Sequence, residues 1–317
     1  MAKKARGQGA RPGKGDPDLR AAGVVETETI ADAVDRYGPL LFAIAYRMTG
    51  SVTEAEDLVQ ETFLRWQGAD RSVVADPKAY LTTVVTRLAI DFLRSARVRR
   101  EEYAGPWLPE PIATDVADDA AAAAEQSDAL SLAFLVLLER LTPVERAVFL
   151  LHDVFDYPFV EVARIVDKAE TTCRQIASRA RWRVREGRPR FAPSSAEHED
   201  LTRRFVRACT DGDLDGLLAL LADDATAWAD GGGKVSAARR PVRGATNVAR
   251  YLLGVAAKTP AHAVSHARAL NGQPGLVVEV DGKVVAALVL DIAHERVAVI
   301  YIVVNPDKLR GLTTREA

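Results

Sequence analysis

Side chains that could read DNA bases stand close together in the middle of the chain. A short apolar run over 158–166 is followed by a polar turn at 167–170 and a second helical run over 171–185. This is the pattern of a helix-turn-helix, whose second helix enters the major groove with its N-terminal residues nearest the bases. Arg174 suits guanine there and Gln175 suits adenine, because both side chains can make paired hydrogen bonds to those bases. The pattern predicts sequence-specific DNA recognition.

The charge of the chain is concentrated in blocks, although its sum is close to zero. The 317 residues carry 42 Lys and Arg against 44 Asp and Glu, a formal net charge of -2. Residues 164–190 hold nine bases against three acids, and residues 87–100 hold five arginines against Asp91 alone. Residues 101–128, which lie between these blocks, hold eight acids and no base. This order predicts two DNA-binding modules joined by a linker that avoids the DNA.

The helices that must position the first basic block follow from the apolar spacing. Residues 29–103 carry apolar side chains three or four positions apart throughout, which predicts helices. Ser51 is the predicted N-cap of a helix that ends near Trp66. Pro77 suits the first turn of the next helix, which ends near Arg99 with a basic tip.

One face of the helix that begins after Ser51 is polar and mostly acidic. Asp57, Gln60 and Glu61 point away from the apolar side of this helix. A polar face of this kind is usually a solvated helix surface, but these side chains could also hydrogen-bond or ion-pair with a basic protein partner.

The last third of the chain predicts an α+β domain. Helical patterns come first and β-branched runs come last, with a hairpin signal at Asp281-Gly282. The predicted elements are two helices at 197–210 and 214–221 and three strands at 276–280, 284–290 and 296–304. Helices followed by antiparallel strands are typical of α+β folds.

Few groups in this domain could catalyse a reaction. Trp228, Asp230, His262 and His266 are candidate pocket residues, but no carboxylate–histidine pair has a spacing that demands acid–base chemistry. Two cysteines cannot build a disulfide framework or a four-ligand zinc site, and Cys173 shares the spacing of a buried helix face. We expect no catalytic residue, no metal and no cofactor.

Three strings in the helical part resemble bacterial RNA polymerase sigma factors of the extracytoplasmic-function type. The string from Asp57 to Trp66 resembles the region-2 helix that docks on the polymerase clamp. The string from Ala79 to Arg94 resembles the helix that melts and reads the −10 promoter element, with Thr86-Arg87 where an Arg-Asn pair is common. The string from Thr171 to Arg181 resembles the region-4 helix that reads the −35 element.

Three further strings narrow the resemblance to the sigma-J-like subgroup, which carries a C-terminal SnoaL-like domain. They are Trp107-Leu108-Pro109-Glu110-Pro111, Asp230-Gly231-Gly232-Gly233-Lys234 and Asn305-Pro306-Asp307-Lys308-Leu309. The resemblance covers the chain from about Thr29 to Leu309, and it implies two all-α sigma modules followed by an α+β SnoaL/NTF2-like domain.

The resemblance implies a sigma factor that binds core RNA polymerase and promoter DNA in the cytoplasm, with no membrane contact. It implies that the C-terminal domain contacts the sigma modules and modulates their activity. The implied site residues are Asp57, Gln60 and Glu61 for polymerase; Thr171, Thr172, Arg174, Gln175, Ser178 and Arg179 for the −35 element; Arg87, Arg94, Arg97, Arg99 and Arg100 for the −10 element; and Trp107, Asp230, Lys234, Asn305, Asp307 and Lys308 for the regulatory interface.

Five segments are expected: a disordered basic tail (1–28), sigma region 2 (29–103), an acidic linker (104–128), the sigma region 4 helix-turn-helix (129–191) and the SnoaL-like domain (196–313). The alternative function is a SnoaL-type isomerase or ligand-sensing domain fused to a helix-turn-helix transcription regulator, which would bind DNA without polymerase. The acidic face at Asp57–Glu61 argues against that alternative.

Overall fold

The structure is a computed structural model that describes residues 29–70, 73–101, 103–114, 130–185 and 195–312, with the side chains of all but 97–101 and 195–196. The expected basic tail (1–28) and residues 115–128 of the expected acidic linker lie outside the described residues, as does residue 129 at the start of the expected region 4. Among the helices in these ranges, none has the length and apolar character needed to cross a bilayer.

The first module consists of three helices, α1 (Ile30–Thr49), α2 (Val52–Gly68) and α3 (Pro77–Glu101). Gly50 ends α1 in the left-handed conformation at φ 69°. The Ser51 hydroxyl then accepts a hydrogen bond from the Glu54 backbone N–H and begins α2, as predicted. Leu58, Phe63 and Trp66 of α2 are buried.

The second module contains the predicted helix-turn-helix. It is built from α4 (Leu132–Leu138), α5 (Pro143–Phe149) with a π-helical turn at Leu150–Val154, α6 (Phe159–Val166) and α7 (Glu170–Arg185). Thr142 and Glu145 form a reciprocal capping box at the start of α5. Cys173 is buried in the face of α7 that packs on the module, which confirms its prediction as a core residue.

The two modules share one hydrophobic core. Leu81 and Val85 of α3 belong to the same buried cluster as Val162 and Ile165 of α6. The Thr82 hydroxyl lies 3.0 Å from the Tyr157 hydroxyl across this junction, and both groups are buried. The first module, which contains the string from Ala79 to Arg94, therefore packs directly on the helix-turn-helix.

The C-terminal domain is an α+β fold, as predicted. It contains α8 (Ser195–Asp211), α9 (Leu214–Leu220), β1 (Leu221–Asp230), β2 (Val242–Arg243), α10 (Ala245–Ala256), β3 (Val264–Leu270), β4 (Gln273–Val280), β5 (Lys283–Ala293) and β6 (Arg296–Val303). The strands lie in the order β2-β1-β6-β5-β4-β3, with β1 parallel to β6 and all other pairs antiparallel. The hairpin at Asp281-Gly282 is confirmed, whereas β1, β3 and α10 were not predicted.

The sheet is covered on both faces. One face packs on α8 and α10, where Ile300 joins Phe205 and Val248 in a buried cluster. On the opposite face, Tyr301 joins Leu108 of the linker and Leu132 of α4. The sheet thus lies between its own helices and the helix-turn-helix module, and residues 103–114 run through this second interface.

Candidate nucleic-acid interface and interdomain clamp

The three short strings around Trp107, Asp230 and Asn305 meet at one buried carboxylate. Asp230 is the last residue of β1 and is fully buried. It accepts hydrogen bonds from Lys308 Nζ at 2.7 Å, from the Leu108 backbone N–H at 2.9 Å and from the Tyr103 hydroxyl at 2.6 Å. Three glycines follow Asp230, and such a run predicts a string too flexible to belong to a core. For Asp230 this prediction is wrong, because β1 holds it inside the domain interface.

Lys308 and Trp107 complete this centre. The Lys308 ammonium lies 4.1 Å from the centre of the Trp107 ring, which is a cation–π contact, and it also donates to the Leu108 carbonyl. Trp107 in turn packs on Gly50, where a Cβ atom would stand only 2.7 Å from Cη2 of the indole. A linker residue thus joins the C-terminal domain to the turn between α1 and α2.

The remaining residues of the predicted regulatory interface surround this centre. Asn305 donates to the Tyr103 hydroxyl at 3.0 Å and lies against Gly232, whose positive φ and close approach leave no room for a side chain. Lys234 forms an ion pair with Asp307, and this hydrogen bond lowers the pKa of the Asp307 carboxyl. The structure therefore brings all six predicted interface residues together; we call this cluster, with Tyr103 and Leu108, the clamp.

Glu110 corrects one expectation about the acidic linker. The charge pattern predicts that the acids of residues 101–128 belong to a linker that avoids DNA, but Glu110 is only 4% exposed. Its carboxylate accepts hydrogen bonds from the Val52 backbone N–H at 2.8 Å and from the Ser51 hydroxyl at 3.2 Å, and burial raises its pKa. Glu110 therefore caps the N-terminus of α2, where the helix dipole favours a negative charge.

Asn271, which sequence reasoning missed, forms a second anchor between the parts of the chain. It lies in the β3–β4 turn at φ 53° and is fully buried. Its side chain accepts from the Ile112 backbone N–H at 3.0 Å and donates to the Tyr46 hydroxyl at 2.7 Å and to the Leu130 carbonyl at 3.1 Å. The Asn-Gly pair at 271–272 is a hairpin signal that could have located this turn, but not its buried partners.

The outer face of α7 carries the side chains predicted to read the −35 element. Thr171, Gln175, Ser178 and Arg179 are exposed, and Thr172 is half-buried. Arg174 is also exposed, but it is paired with Glu170 at 2.6 Å and stacked over the Phe159 ring at 4.7 Å. The helix therefore presents polar groups to solvent at its N-terminal end, as the major groove requires.

Arg87, one of the residues predicted to bind the −10 element, contacts the end of α6. Its guanidinium donates to the Ile165 carbonyl at 2.9 Å and to the Arg164 carbonyl at 3.0 Å, which are two of the last three carbonyls of α6. In this structure Arg87 therefore caps the helix-turn-helix. Arg94 is exposed and paired with Asp91 at 3.0 Å, and the side chains of Arg97, Arg99 and Arg100 lie outside the described residues.

The predicted polymerase-binding face lies open on α2. Asp57 and Gln60 are exposed, and Glu61 pairs with Arg65 at 2.8 Å one turn along the helix. This pair is exposed and adds little to stability, so the face keeps its polar character.

The four candidate pocket residues are not assembled. Asp230 belongs to the clamp on β1, whereas His266 lies on the edge strand β3, four strand positions and about 19 Å away across the sheet. His262 is 62% exposed and lies 3.4 Å from Asp281, and His266 lies 3.6 Å from Glu279. This arrangement offers no shared acid–base centre of Trp228, Asp230 and the two histidines.

Asp291 on β5 gives a pH-dependent prediction. Burial raises the pKa of its carboxyl to about 6, and no described residue bonds to it. The folded state therefore binds this proton more tightly than the unfolded chain, so stability falls as pH rises from about 4 to 6 and stays lowered above that. We expect Asp291→Asn to stabilise the protein by about 1 to 3 kcal/mol at pH 7.5 and by roughly a third of that at pH 4.5, measured as thermal unfolding midpoints.

The exposed turn residue Asp281 provides the control, since Asp281→Asn removes the same charge from a side chain that is 82% exposed. Its unfolding midpoint should not differ from wild type at either pH. An equal gain for Asp291→Asn at both pH values would contradict the explanation by burial.

Comparisons with known proteins agree with this geometry. Residues 33–99 match the family Sigma-70 region 2, and residues 131–184 match Sigma-70, region 4. The ECF RNA polymerase sigma factor SigJ of Mycobacterium tuberculosis is 40% identical over 289 residues, which are 87% of this chain and 92% of that protein. The probable ECF RNA polymerase sigma factor SigI of the same organism is 35% identical over 280 residues, 86% of this chain and 92% of the relative.

Among solved structures, the crystal structure of M. tuberculosis extracytoplasmic function sigma factor SigJ aligns with a TM-score of 0.69 and 36% identity, covering 89% of this chain and 98% of that one. The match therefore extends over the sigma modules and the C-terminal domain together. The chain belongs to the extracytoplasmic-function RNA polymerase sigma factors of the sigma-J-like subgroup, with a C-terminal SnoaL-like domain.

Proposed function

We propose that this sigma factor rests in a closed arrangement, held by its C-terminal domain, and initiates transcription only after its two modules separate. The observation that carries the proposal is the contact between Arg87 and the end of α6, 2.9 and 3.0 Å long. Through this contact Arg87, which is predicted to bind the −10 element, is held by the module that is predicted to read the −35 element.

The distance between the two promoter elements is too large for both elements to be read in this closed arrangement. Elements named −35 and −10 lie about 25 base pairs apart, which is about 85 Å along B-DNA. Helices α3 and α6 share one core, so α7 and α3 cannot reach both elements at once. Opening of this core is a required step.

The clamp and Asn271 are placed to oppose this opening. Residues 103–114 are the described part of the segment between the two modules, and they are bonded to the C-terminal domain at Leu108 and Ile112. While these bonds hold, residues 103–114 cannot move away from the C-terminal domain. Release of residues 103–114 from the C-terminal domain is therefore the regulated event in this proposal.

The predicted contacts take the following roles once the chain is open. The acidic face of α2 binds core RNA polymerase, the outer face of α7 reads the −35 element, and the basic end of α3 binds near the −10 element. The residues proposed are Asp57, Gln60 and Glu61 for polymerase; Thr171, Thr172, Arg174, Gln175, Ser178 and Arg179 for −35; and Arg87, Arg94, Arg97, Arg99 and Arg100 for −10.

The C-terminal domain, with proposed bounds 196–313, acts here as a regulatory and not a catalytic part. Two observations support this role. The Asp230 carboxylate is bonded to Lys308 in the clamp, and His266 lies on the outer strand β3. The proposal does not require any ligand of this domain.

A reversible crosslink tests the closed arrangement. Asp91 and Lys168 both line a cleft of about 360 Å³ between α3 and the helix-turn-helix. The double variant Asp91→Cys, Lys168→Cys, joined by a thiol-reactive reagent with a cleavable spacer, should bind no promoter productively. The assay is run-off transcription with core polymerase, on a promoter that the wild-type holoenzyme selects from a randomised library. We expect the crosslinked protein to lose this transcription and to recover it when the spacer is cleaved.

The native cysteines are buried or half-buried, so wild-type protein treated with the same reagent is the control and should keep its transcription. Full run-off activity of the crosslinked protein would show that promoter reading does not need the modules to separate.

A further inference from the structure

A tryptophan stands exposed on the DNA-reading helix without a structural reason for being there. Trp182 is 61% exposed on α7. Within the described residues it makes no hydrogen bond or ring contact. A single exposed apolar side chain is common on protein surfaces and marks no site by itself. A tryptophan on a helix face that is predicted to bind DNA offers a ring and an N–H donor for contact.

Trp182 lies on the same face of α7 as the predicted base-reading side chains. At about 100° per residue it is aligned with Gln175 to within about 20°, and it lies opposite the buried Cys173. The indole is therefore directed toward whatever the N-terminal half of this face contacts.

The arginines on either side of Trp182 are committed to the protein itself. Arg181 pairs with Asp153 at 2.6 Å, and Arg183 pairs with Glu145 at 2.7 Å. Both cations hold α7 on its own module. At this level of the helix the outer face therefore presents an indole and not a cation.

The distance along the helix decides which part of DNA the indole would reach. Trp182 is seven residues beyond Gln175, which is about 10.5 Å along the axis. The major groove is about 12 Å wide, so a side chain this far from the base-reading end meets the backbone at the groove edge. Arg179 and Arg185, which are exposed on both flanks of Trp182, add the positive charge that this backbone attracts.

We propose that Trp182 binds the sugar–phosphate backbone beside the −35 element, with its Nε1–H donating to a phosphate oxygen and its ring packed on the adjoining deoxyribose. The proposal rests on the −35 function of α7. The contact is independent of sequence and sets the register of the reading helix. Because a neutral donor replaces no counterion, it adds affinity without adding salt dependence, unlike an arginine contact.

The test is a salt titration with full-length protein in holoenzyme, on the promoter selected by the wild-type holoenzyme and on a 30-base-pair duplex of random sequence. We expect Trp182→Ala to weaken binding roughly tenfold on both DNAs, with the slope of log K against log salt unchanged. Arg179→Ala, the matched control, should reduce that slope by about 0.9. Trp182→Phe should lose part of the affinity, because it keeps a ring but no N–H donor.

Three outcomes would overturn the proposal. They are unchanged DNA affinity of Trp182→Ala, a loss confined to the selected promoter, and a loss of binding to core polymerase in the absence of DNA, which would make the indole a protein contact. Failure of the −35 function itself would appear as a wild-type holoenzyme that gives no promoter-dependent run-off product. The thermal midpoint of Trp182→Ala, a change at an exposed position, should equal that of wild type.

Discussion

Replacing Asp230 by asparagine is expected to lower the thermal unfolding midpoint of the protein by about 10 °C. The change removes the carboxylate from the ion pair of the Lys308 ammonium, which is 8% exposed and keeps its contacts with the Leu108 carbonyl and the Trp107 ring. Removing one charge of a buried ion pair typically costs about 3 to 5 kcal/mol, because the remaining charge has lost both its hydration and its counter-charge. At about 2–4 °C per kcal/mol for a domain of this size, that loss corresponds to the expected shift.

The double variant Asp230→Asn, Lys308→Met provides the control. It removes both charges and keeps most of the side-chain volume, so it should recover much of the lost stability. If both proteins unfold at the same temperature, then the ion pair is not the source of the effect. The same midpoint in Asp230→Asn and wild type would show that the clamp does not stabilise the fold.

The clamp also makes a prediction about transcription. Asp230→Asn keeps one acceptor oxygen where the carboxylate has two, so either the Leu108 amide or the Tyr103 hydroxyl loses its acceptor, and residues 103–114 are held less firmly. On the proposed mechanism the open state gains population, and run-off transcription below the unfolding temperature should rise several-fold. A fall in transcription at full solubility would mean that the clamp supports the active state.

The helical frame of the protein could be predicted from local signals. Thr142-Pro143-Val144-Glu145 contains a capping residue, a first-turn proline and a third-position glutamate, and each acts within one turn of helix. The hairpin at Asp281-Gly282 is equally local, with φ values of 51° and 71°. Such patterns depend on neighbouring residues only, so a single sequence contains them in full.

The interdomain contacts could not be predicted from such signals, because they join residues far apart in the chain. Nothing near Glu110 in sequence shows that it caps α2. The bond from Arg87 to the end of α6 is equally hidden, because Ile165 lies 78 positions further along the chain. Near the start of β1, Asp223 and Asp224 are exposed and interrupt the alternation of apolar and polar residues. The strand was therefore not predicted, although its other end is buried.

Asn271→Gly is expected to release the linker at its second anchor. Glycine keeps the backbone conformation at φ 53°, so only the side-chain amide is lost. The Tyr46 hydroxyl then loses a partner in a buried place, and the Ile112 N–H and the Leu130 carbonyl each lose a partner in a partly buried place. Buried polar groups left unpaired cost about 1–3 kcal/mol each, and partial entry of water reduces the sum to about 2 to 5 kcal/mol.

Amide hydrogen exchange of the peptide over 103–114 measures this release, because the Ile112 amide is one of the groups that lose their acceptor. We expect protection of this peptide to fall by one to three orders of magnitude, while peptides from α1 keep theirs. The matched control is Asp281→Gly, which makes the same backbone change in a two-residue turn at φ 51°, on a side chain that is 82% exposed. Its protection should equal that of wild type, since no buried partner depends on Asp281. Equal protection in both variants would mean that the backbone pairing of Asn271 with Ile112, at 2.8 Å, holds the linker without the side chain.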